Sequence, residues 1–295
     1  MFRKFSYLTL FIFLVLNSKF TFAQSELDYL GVIKLNDSAF ISYSLKLVEK
    51  KGIISGYSIT DIGGEHETKS NITGSYAKNT NTLSFKEVGI IYTKSDVSDY
   101  DFCYIHFNGT VRNIDAVKSI NGKFNGLYND GSTCINGEIS LRSIQKIEKK
   151  ALKIDNRLQK SKKITPELKE KISLTKTLDT LKMNILKSNQ NLSMFTSSQS
   201  LKLQIYDAGK VDGDKINVFV NDTVLLKNYI VSKKIKQLLI PLQSKLTTVK
   251  ISALNVGTIS PNTAKIEITD QKNNIQTITS LKKGEKTSIT IIKTE

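Results

Sequence analysis

Residues 120–139 read INGKFNGLYNDGSTCINGEI, and this stretch decides the fold of the first half of the chain. It contains one pattern three times: an apolar residue, any residue, glycine, any residue and a second apolar residue. The same pattern occurs earlier, at residues 72–76 and 107–111. Because side chains alternate between the two faces of a strand, each glycine shares a face with its flanking apolar residues. Glycine repeated on one face of successive strands is typical of a small, strongly coiled sheet that closes on itself.

Alternating apolar and polar residues around this stretch predict further strands. Residues 41–47 show the pattern, with apolar side chains at the odd positions and Ser or Lys between them. The apolar residues move from odd to even positions near Lys86-Glu87, which predicts a β-bulge. The predicted strands span residues 27–34, 39–48, 52–60, 67–76, 81–93, 101–112, 118–128 and 133–143. We expect an eight-stranded up-and-down β-barrel, because closure leaves no unpaired edge; a two-sheet sandwich is the alternative.

The period changes in residues 144–200. Apolar residues in 144–158 are spaced alternately three and four apart, which is one stripe of a helix, and Lys and Arg cover the other faces. A Thr-Pro-Glu start at 165–167 predicts a second helix, with Leu168 and Ile172 facing inward. Polar residues dominate the rest. The segment is therefore predicted to be a helical, lysine-rich linker.

Strand-like alternation returns at Leu201 and continues to the end of the chain. Seven or eight short strands follow within 95 residues, which is typical of a β-sandwich. The chain is thus predicted to be mainly β. Its predicted divisions are a signal peptide (1–23), a β-barrel-like domain (24–143), a helical linker (144–200) and a β-sandwich domain (201–295).

An ordered set of motifs runs through the predicted sandwich. They are Ile205-Tyr206-Asp207, Asp212-Gly213-Asp214, Val218-Phe219-Val220-Asn221, Ala253-Leu254-Asn255-Val256-Gly257 and Pro261-Asn262-Thr263-Ala264. Residues 201–293 resemble a β-sandwich domain that recurs at the C-termini of secreted proteins of Bacteroidota-type bacteria. The resemblance implies export and fold, but no activity. Many relatives have Trp where Tyr206 stands, whereas this chain has no Trp. The N-terminal part resembles lipocalin- and avidin-like barrels in architecture alone.

The first 23 residues have the three parts of a secretory signal. Arg3 and Lys4 precede an apolar run at residues 7–16, and Thr21-Phe22-Ala23 places small residues before a cleavage point. The alternative, a membrane anchor, needs about 20 apolar residues, and this run is half as long. We therefore expect an exported protein, periplasmic, cell-surface or extracellular, with no transmembrane span in the mature chain.

Positive charge is concentrated after the predicted barrel. Residues 24–141 carry 11 Lys and Arg against 14 Asp and Glu, whereas residues 142–186 carry 13 against 5. Residues 187–295 carry 16 against 8. The predicted export argues against nucleic acid as the partner, and so does the lack of a basic motif with aromatic residues between the charges. An envelope glycan, a lipid surface or an extracellular protein is the expected class of partner; a solvated lysine-rich surface is the alternative, and the oligomeric state is left open.

The chain contains two cysteines, Cys103 and Cys134. In an oxidising compartment an even pair predicts one disulfide. Both residues begin predicted strands at the same rim of the barrel, two strands apart. At mid-strand that spacing, about 9.6 Å, is too wide for a bridge, but at the rim the strand ends can approach each other.

Three carboxylates in the predicted sandwich form a candidate calcium site. Asp207 ends a strand, and Asp212 and Asp214 follow on either side of Gly213. Calcium binds six to eight oxygen ligands, and backbone carbonyls would complete the shell. The alternative is turn chemistry, in which the side chains cap nearby backbone amides. No other cofactor is predicted.

No catalytic constellation appears in the sequence. His66 lies in a polar loop, and His106 is predicted on the solvated face of a strand. There is no nucleophile elbow, zinc-binding helix or phosphate-cradling loop. The leading expectation is a secreted or cell-envelope binding protein without enzymatic activity. The alternatives are a lipocalin-like carrier of a small apolar molecule in the N-terminal barrel and an enzyme of unrecognised type.

Overall fold

A computed structural model describes residues 26–35, 39–96, 101–112, 114 and 118–294. The predicted signal peptide, residues 1–23, lies outside these residues. The described chain is mainly β. It forms a barrel, a short helical segment and a sandwich of two sheets.

Eight antiparallel strands form a closed barrel, which confirms the prediction. The strands are β1 (Glu26–Leu35), β2 (Ala39–Lys50), β3 (Ile53–Thr60), β4 (Thr68–Ala77), β5 (Thr82–Thr93), β6 (Tyr104–Thr110), β7 (Ser119–Leu127) and β8 (Thr133–Ser143). Each strand pairs with the next along the chain, and β1 pairs with β8 to close the sheet. Successive side chains of a strand point to opposite faces, so the alternating apolar residues of each strand face the interior of the barrel.

The repeated glycines leave room for aromatic rings inside the barrel. A Cβ on Gly109 would lie 2.6 Å from the Phe107 ring, and one on Gly137 would lie 2.7 Å from the Phe124 ring. The rings of Phe85 and Phe107 stack with their centres 5.1 Å apart. The barrel core is therefore filled with side chains that the glycines make space for.

The β-bulge in β5 lies two residues further along the chain than predicted, at Val88-Gly89 and not at Lys86-Glu87. Between two β4–β5 pairs, Val88 and Gly89 together oppose the single residue Asn71. Glu87 therefore keeps the parity of Leu83 and Phe85 and is buried. The bulge reverses the direction of the β5 side chains after Glu87 and not before it. The Glu87 carboxylate therefore lies among the inward-facing side chains.

Three helices follow the barrel: α1 (Ile144–Lys160), α2 (Pro166–Lys171) and α3 (Leu174–Leu181). The Thr165 side chain caps α2 by accepting the N–H of Leu168, as predicted. Leu168 and Ile172, however, are exposed, so their predicted inward orientation is wrong. Among the described residues, no helix has the length and apolar character needed to cross a bilayer.

The end of the predicted linker is not a linker. It forms two strands, β9 (Ile185–Lys187) and β10 (Asn191–Thr196), which belong to the sandwich. Both pair in parallel with strands close to the C-terminus, and Leu186, Leu192 and Met194 are buried. These short polar stretches become strands because distant partners bury their alternate side chains.

The remaining strands complete a sandwich of two five-stranded sheets. They are β11 (Ser200–Tyr206), β12 (Lys215–Val220), β13 (Thr223–Ile230), β14 (Lys236–Pro241), β15 (Leu246–Ala253), β16 (Lys265–Thr269), β17 (Asn274–Ser280) and β18 (Lys286–Lys293). One sheet has the order β13-β12-β15-β18-β10, and the other has the order β14-β11-β16-β17-β9. β10 also pairs with β5, so the first sheet is continuous with the barrel wall.

Candidate binding site at the barrel mouth

One end of the barrel is open and forms a pocket of about 570 Å³, which we call the barrel mouth. It lies where the β3–β4 loop begins and where β6 starts. Its lining is rich in hydroxyl groups, with carboxylates and aromatic rings among them. The lining residues are Phe40, Ile41, Ser42, Thr60, Asp61, His66, Thr68, Ser70, Glu87, Ile90, Phe102 and Cys103.

Glu87 is the buried carboxylate of the barrel mouth. Its Oε1 accepts hydrogen bonds from the hydroxyls of Tyr43, at 3.0 Å, and Ser58, at 2.6 Å. Its Oε2 accepts the Ile105 N–H at 2.9 Å. Burial raises the pKa of Glu87 above its ordinary value, and these hydrogen bonds oppose that rise. Burial, and then the neighbouring Glu87, raise the pKa of Tyr43. Three donors from three strands thus hold one carboxylate as a fixed acceptor.

The loop at residues 61–67 forms one side of the rim. Asp61 Oδ2 accepts the His66 N–H at 2.9 Å, and the Ser42 hydroxyl oxygen accepts the Ile62 N–H at 2.8 Å. His66 is exposed, and its Nδ1 lies 3.3 Å from Ser95 Oγ. These hydrogen bonds order the loop from within and tie it to β2, so the rim is shaped without a ligand.

A buried polar cluster joins the same loop to the sandwich. Tyr92 donates its hydroxyl to Glu67 Oε1 at 2.8 Å, and the Lys94 ammonium lies 3.6 Å from the same oxygen. Lys94 also donates to the Ile185 carbonyl at 3.0 Å. Burial lowers the pKa of Lys94, and the attraction of Glu67 opposes that shift. The cluster therefore anchors the rim loop to the start of the sandwich.

The disulfide between Cys103 and Cys134 is present, as predicted, and Cys103 lines the barrel mouth. The two Cα atoms are 6.0 Å apart. The bridge crosses the intervening strand at Gly126, where a Cβ would lie 2.6 Å from the Cys103 sulfur. A glycine on the middle strand is what lets strands two apart be joined.

The chain matches no known family model, no curated protein and no solved structure. The resemblances seen in the sequence therefore remain hypotheses.

The three predicted calcium ligands lie at one end of the sandwich and cap backbone amides of two loops, the loop after β11 and the loop between β15 and β16. Asp207 Oδ1 accepts the Gly209 N–H at 2.7 Å, Asp212 Oδ2 accepts the Ile259 N–H at 2.9 Å, and Asp214 Oδ2 accepts the Thr263 N–H at 2.7 Å. Within the described part of the chain, no group of three or more His, Cys, Asp or Glu side chains is placed to hold a metal ion. This geometry lends the calcium site no support and matches the turn-capping alternative.

Sequence reasoning missed Glu87 as a site residue. The signal was available, because Glu87 follows the inward-facing Leu83 and Phe85 at the same parity. His106, predicted on a solvated strand face, is partly buried outside the mouth, and burial lowers its pKa.

Proposed function

We propose that this chain is a binding protein without enzymatic activity, exported to the cell envelope or beyond, and that its barrel mouth receives a sugar unit of an envelope glycan. The observation that carries the proposal is the composition of the pocket wall, where hydroxyl groups and carboxylates surround exposed aromatic surface. Export rests on the signal-like N-terminus, and the disulfide is consistent with an oxidising compartment.

The polar part of the wall suits a ligand that carries many hydroxyl groups. Thr60, Thr68 and Ser70 bring hydroxyls from neighbouring strands, and Glu87 supplies a carboxylate. Hydroxyls both donate and accept, so they match the mixed donors and acceptors of a sugar ring. Glu87 and Thr68 have hydrogen-bond partners within the protein, and their remaining oxygen lone pairs can accept from a sugar hydroxyl, whereas an apolar ligand forms no such bond.

The apolar part of the wall suits the C–H face of a sugar. Phe40 is 65% exposed at the rim, although an aromatic ring gains by burial. Phe102 lies deeper and is held edge-on against Phe195 of β10, with 6.4 Å between ring centres. The volume of the pocket falls within the usual range for small-ligand sites, about 300–1,000 Å³.

The carrier alternative would place a small apolar molecule inside the barrel. Large aromatic side chains, among them Tyr29, Tyr43 and Phe107, already fill that interior. The open volume lies above them, where hydroxyl groups and carboxylates are mixed with apolar side chains. These observations favour a polar ligand at the mouth over an apolar one in the core.

Saturation-transfer NMR with soluble monosaccharides of bacterial envelopes tests the proposal, with a fluorescent fatty acid as the apolar probe. We expect sugar binding in the unmodified protein. Phe40→Ala should weaken it roughly tenfold, because losing an aromatic anchor costs about 1.4 kcal/mol or more.

Ile53→Ala is the matched control for this experiment. Ile53 is 66% exposed at the opposite end of the barrel, so its loss should leave sugar affinity unchanged. Fatty-acid binding that Phe40→Ala weakens, without sugar binding, would favour the carrier. Equal effects of the two variants would contradict a site at the mouth.

A further inference from the structure

Helices α1 and α3 form a groove outside the barrel. Its apolar floor consists of Ile147, Ala151 and Ile154 from α1 and Leu174 and Leu178 from α3. The groove encloses about 560 Å³. We call it the helical groove. It uses none of the residues of the barrel mouth.

Five cations surround this apolar floor. They are Arg142, Lys146, Lys149, Lys150 and Lys153. All five are exposed. No acidic residue lines the groove. These five residues, which we call the cationic bank, therefore place concentrated positive charge beside an apolar surface.

The two carboxylates of α1 do not line the groove, and both hydrogen-bond with the segment that contains α3. Glu148 accepts a hydrogen bond from the Lys182 ammonium at 2.6 Å. Asp155 accepts the N–H groups of Leu174, at 2.9 Å, and Thr175, at 3.0 Å, at the start of α3. These bonds lower the pKa of Asp155 to about 2, so it stays charged while it holds the two helices together.

Other apolar side chains of the same helical segment are also exposed. Leu152 is 53% exposed, Leu181 is 40% exposed and Met183 is 44% exposed. Exposed apolar side chains next to a dense cationic surface are typical of helices that lie at a lipid–water interface. An anionic polysaccharide would satisfy the cations but would leave the apolar floor unused.

We propose that the helical groove docks on a membrane surface containing anionic lipid. The lysines of the cationic bank meet lipid phosphates, and the apolar floor and its neighbours contact acyl chains just below the headgroups. Charge complementarity selects this occupant, because residues 142–186 carry 13 Lys and Arg against 5 Asp and Glu. The proposal does not depend on sugar binding at the mouth.

Co-sedimentation with vesicles tests the proposal on the mature protein. Phosphatidylcholine vesicles are compared with phosphatidylcholine vesicles that contain phosphatidylglycerol. We expect binding to the second kind alone, falling as salt rises. The triple variant Lys146→Gln/Lys150→Gln/Lys153→Gln should lower partitioning about 100-fold, because each lysine near an anionic surface contributes about fivefold.

A second triple variant controls for net charge. Lys282→Gln/Lys283→Gln/Lys286→Gln removes the same charge from exposed positions on the sandwich. It should change partitioning less than about threefold, since none of these lysines lines the groove. An equal loss in both triple variants would overturn the groove as the docking surface.

Ile154→Ser separates a membrane from a soluble polyanion. It should lower vesicle partitioning about tenfold, while binding to dextran sulfate stays unchanged. If dextran sulfate binding is strong and Ile154→Ser leaves vesicle partitioning intact, the groove serves an anionic polymer and the proposal is wrong. Circular dichroism measures the helix content of each variant. If Ile154→Ser loses helix, the comparison of the two triple lysine variants alone tests the proposal.

Discussion

The barrel and the sandwich solve the same packing problem with different side chains. The buried core of the barrel contains six aromatic residues among its aliphatic ones: Tyr29, Tyr43, Tyr76, Phe85, Phe107 and Phe124. The sandwich core is made of Ile, Leu, Val, Ala and Met, and its one buried tyrosine, Tyr92, comes from the barrel strand β5. The barrel has glycines on its inner face and a disulfide, whereas the four glycines of the sandwich lie in turns.

This difference follows from how each unit encloses its core. Two facing sheets can interdigitate aliphatic side chains of similar size across a gap of about 10 Å. One small sheet that closes on itself must fill a cylinder from all sides, so large rings have to lie over positions without side chains. Aromatic and glycine residues are therefore coupled in the barrel and have no such coupling in the sandwich.

The largest test of this contrast removes the disulfide. Cys103→Ser/Cys134→Ser should lower the free energy of unfolding by roughly 3–4 kcal/mol on the chain-entropy model, because the bridge closes a loop of 31 residues. Urea unfolding measures the loss, and hydrogen exchange locates it. We expect lost protection in the barrel strands alone. Equal loss in the sandwich would show that the continuous sheet through β5 and β10 makes the two units unfold together.

A smaller test addresses the coupling between glycine and aromatic rings. Gly109→Ala should destabilise the protein by about 1–3 kcal/mol, because the three atoms nearest to the new Cβ all belong to the Phe107 ring. Adding Phe107→Leu removes the obstructing atoms. The double variant should therefore lose clearly less than the two single variants together.

Gly209→Ala in the sandwich is the control for Gly109→Ala. The nearest atom to its Cβ lies at an ordinary 3.5 Å, so the change should cost under about 0.5 kcal/mol. Additive losses at Gly109 and Phe107 would show that the glycine serves the backbone and not the ring.

The local part of the fold could be predicted from the sequence, because strand alternation and turn residues are local signals. All eight barrel strands lie within a few residues of their predicted bounds, and β11–β18 are the seven or eight short strands predicted from Leu201 onward. β9 and β10 could not be predicted, because each is short and becomes a strand only by parallel pairing with a segment about ninety residues away. Their burial is a tertiary effect.

The candidate site was less predictable than the fold. Alternation placed Glu87 on the inner face, but an isolated carboxylate in a core is too costly to expect. The donors that offset this cost, Tyr43, Ser58 and the Ile105 N–H, come from three other strands. Only closure of the barrel brings them together, so the parity of Glu87 could indicate an inward-facing carboxylate but not the donors that bind it.

The smallest expected effect concerns charge within the sandwich. Asp214 is 2% exposed, and its Oδ1 has no hydrogen-bond partner. Burial, aided by repulsion from Asp212 and Asp207, raises the pKa of Asp214 to about 6. Between the unfolded pKa and about pH 6, the folded state binds more protons than the unfolded state. Asp214 therefore lowers the stability of the protein as the pH rises through this window.

Asp214→Asn should remove this contribution while keeping an acceptor for the Thr263 N–H. Urea unfolding at about pH 5 and about pH 8 should show a variant that is relatively more stable at the higher pH. Asp222→Asn is the control, because hydrogen bonding and attraction from Lys250 lower the pKa of Asp222 and keep it charged at both pH values. Its loss should therefore have the same small effect at both pH values, small because the site is exposed. If the stability of Asp214→Asn relative to the unmodified protein is also the same at both pH values, the charge of Asp214 does not affect stability, and the contrast between the barrel and the sandwich rests on packing alone.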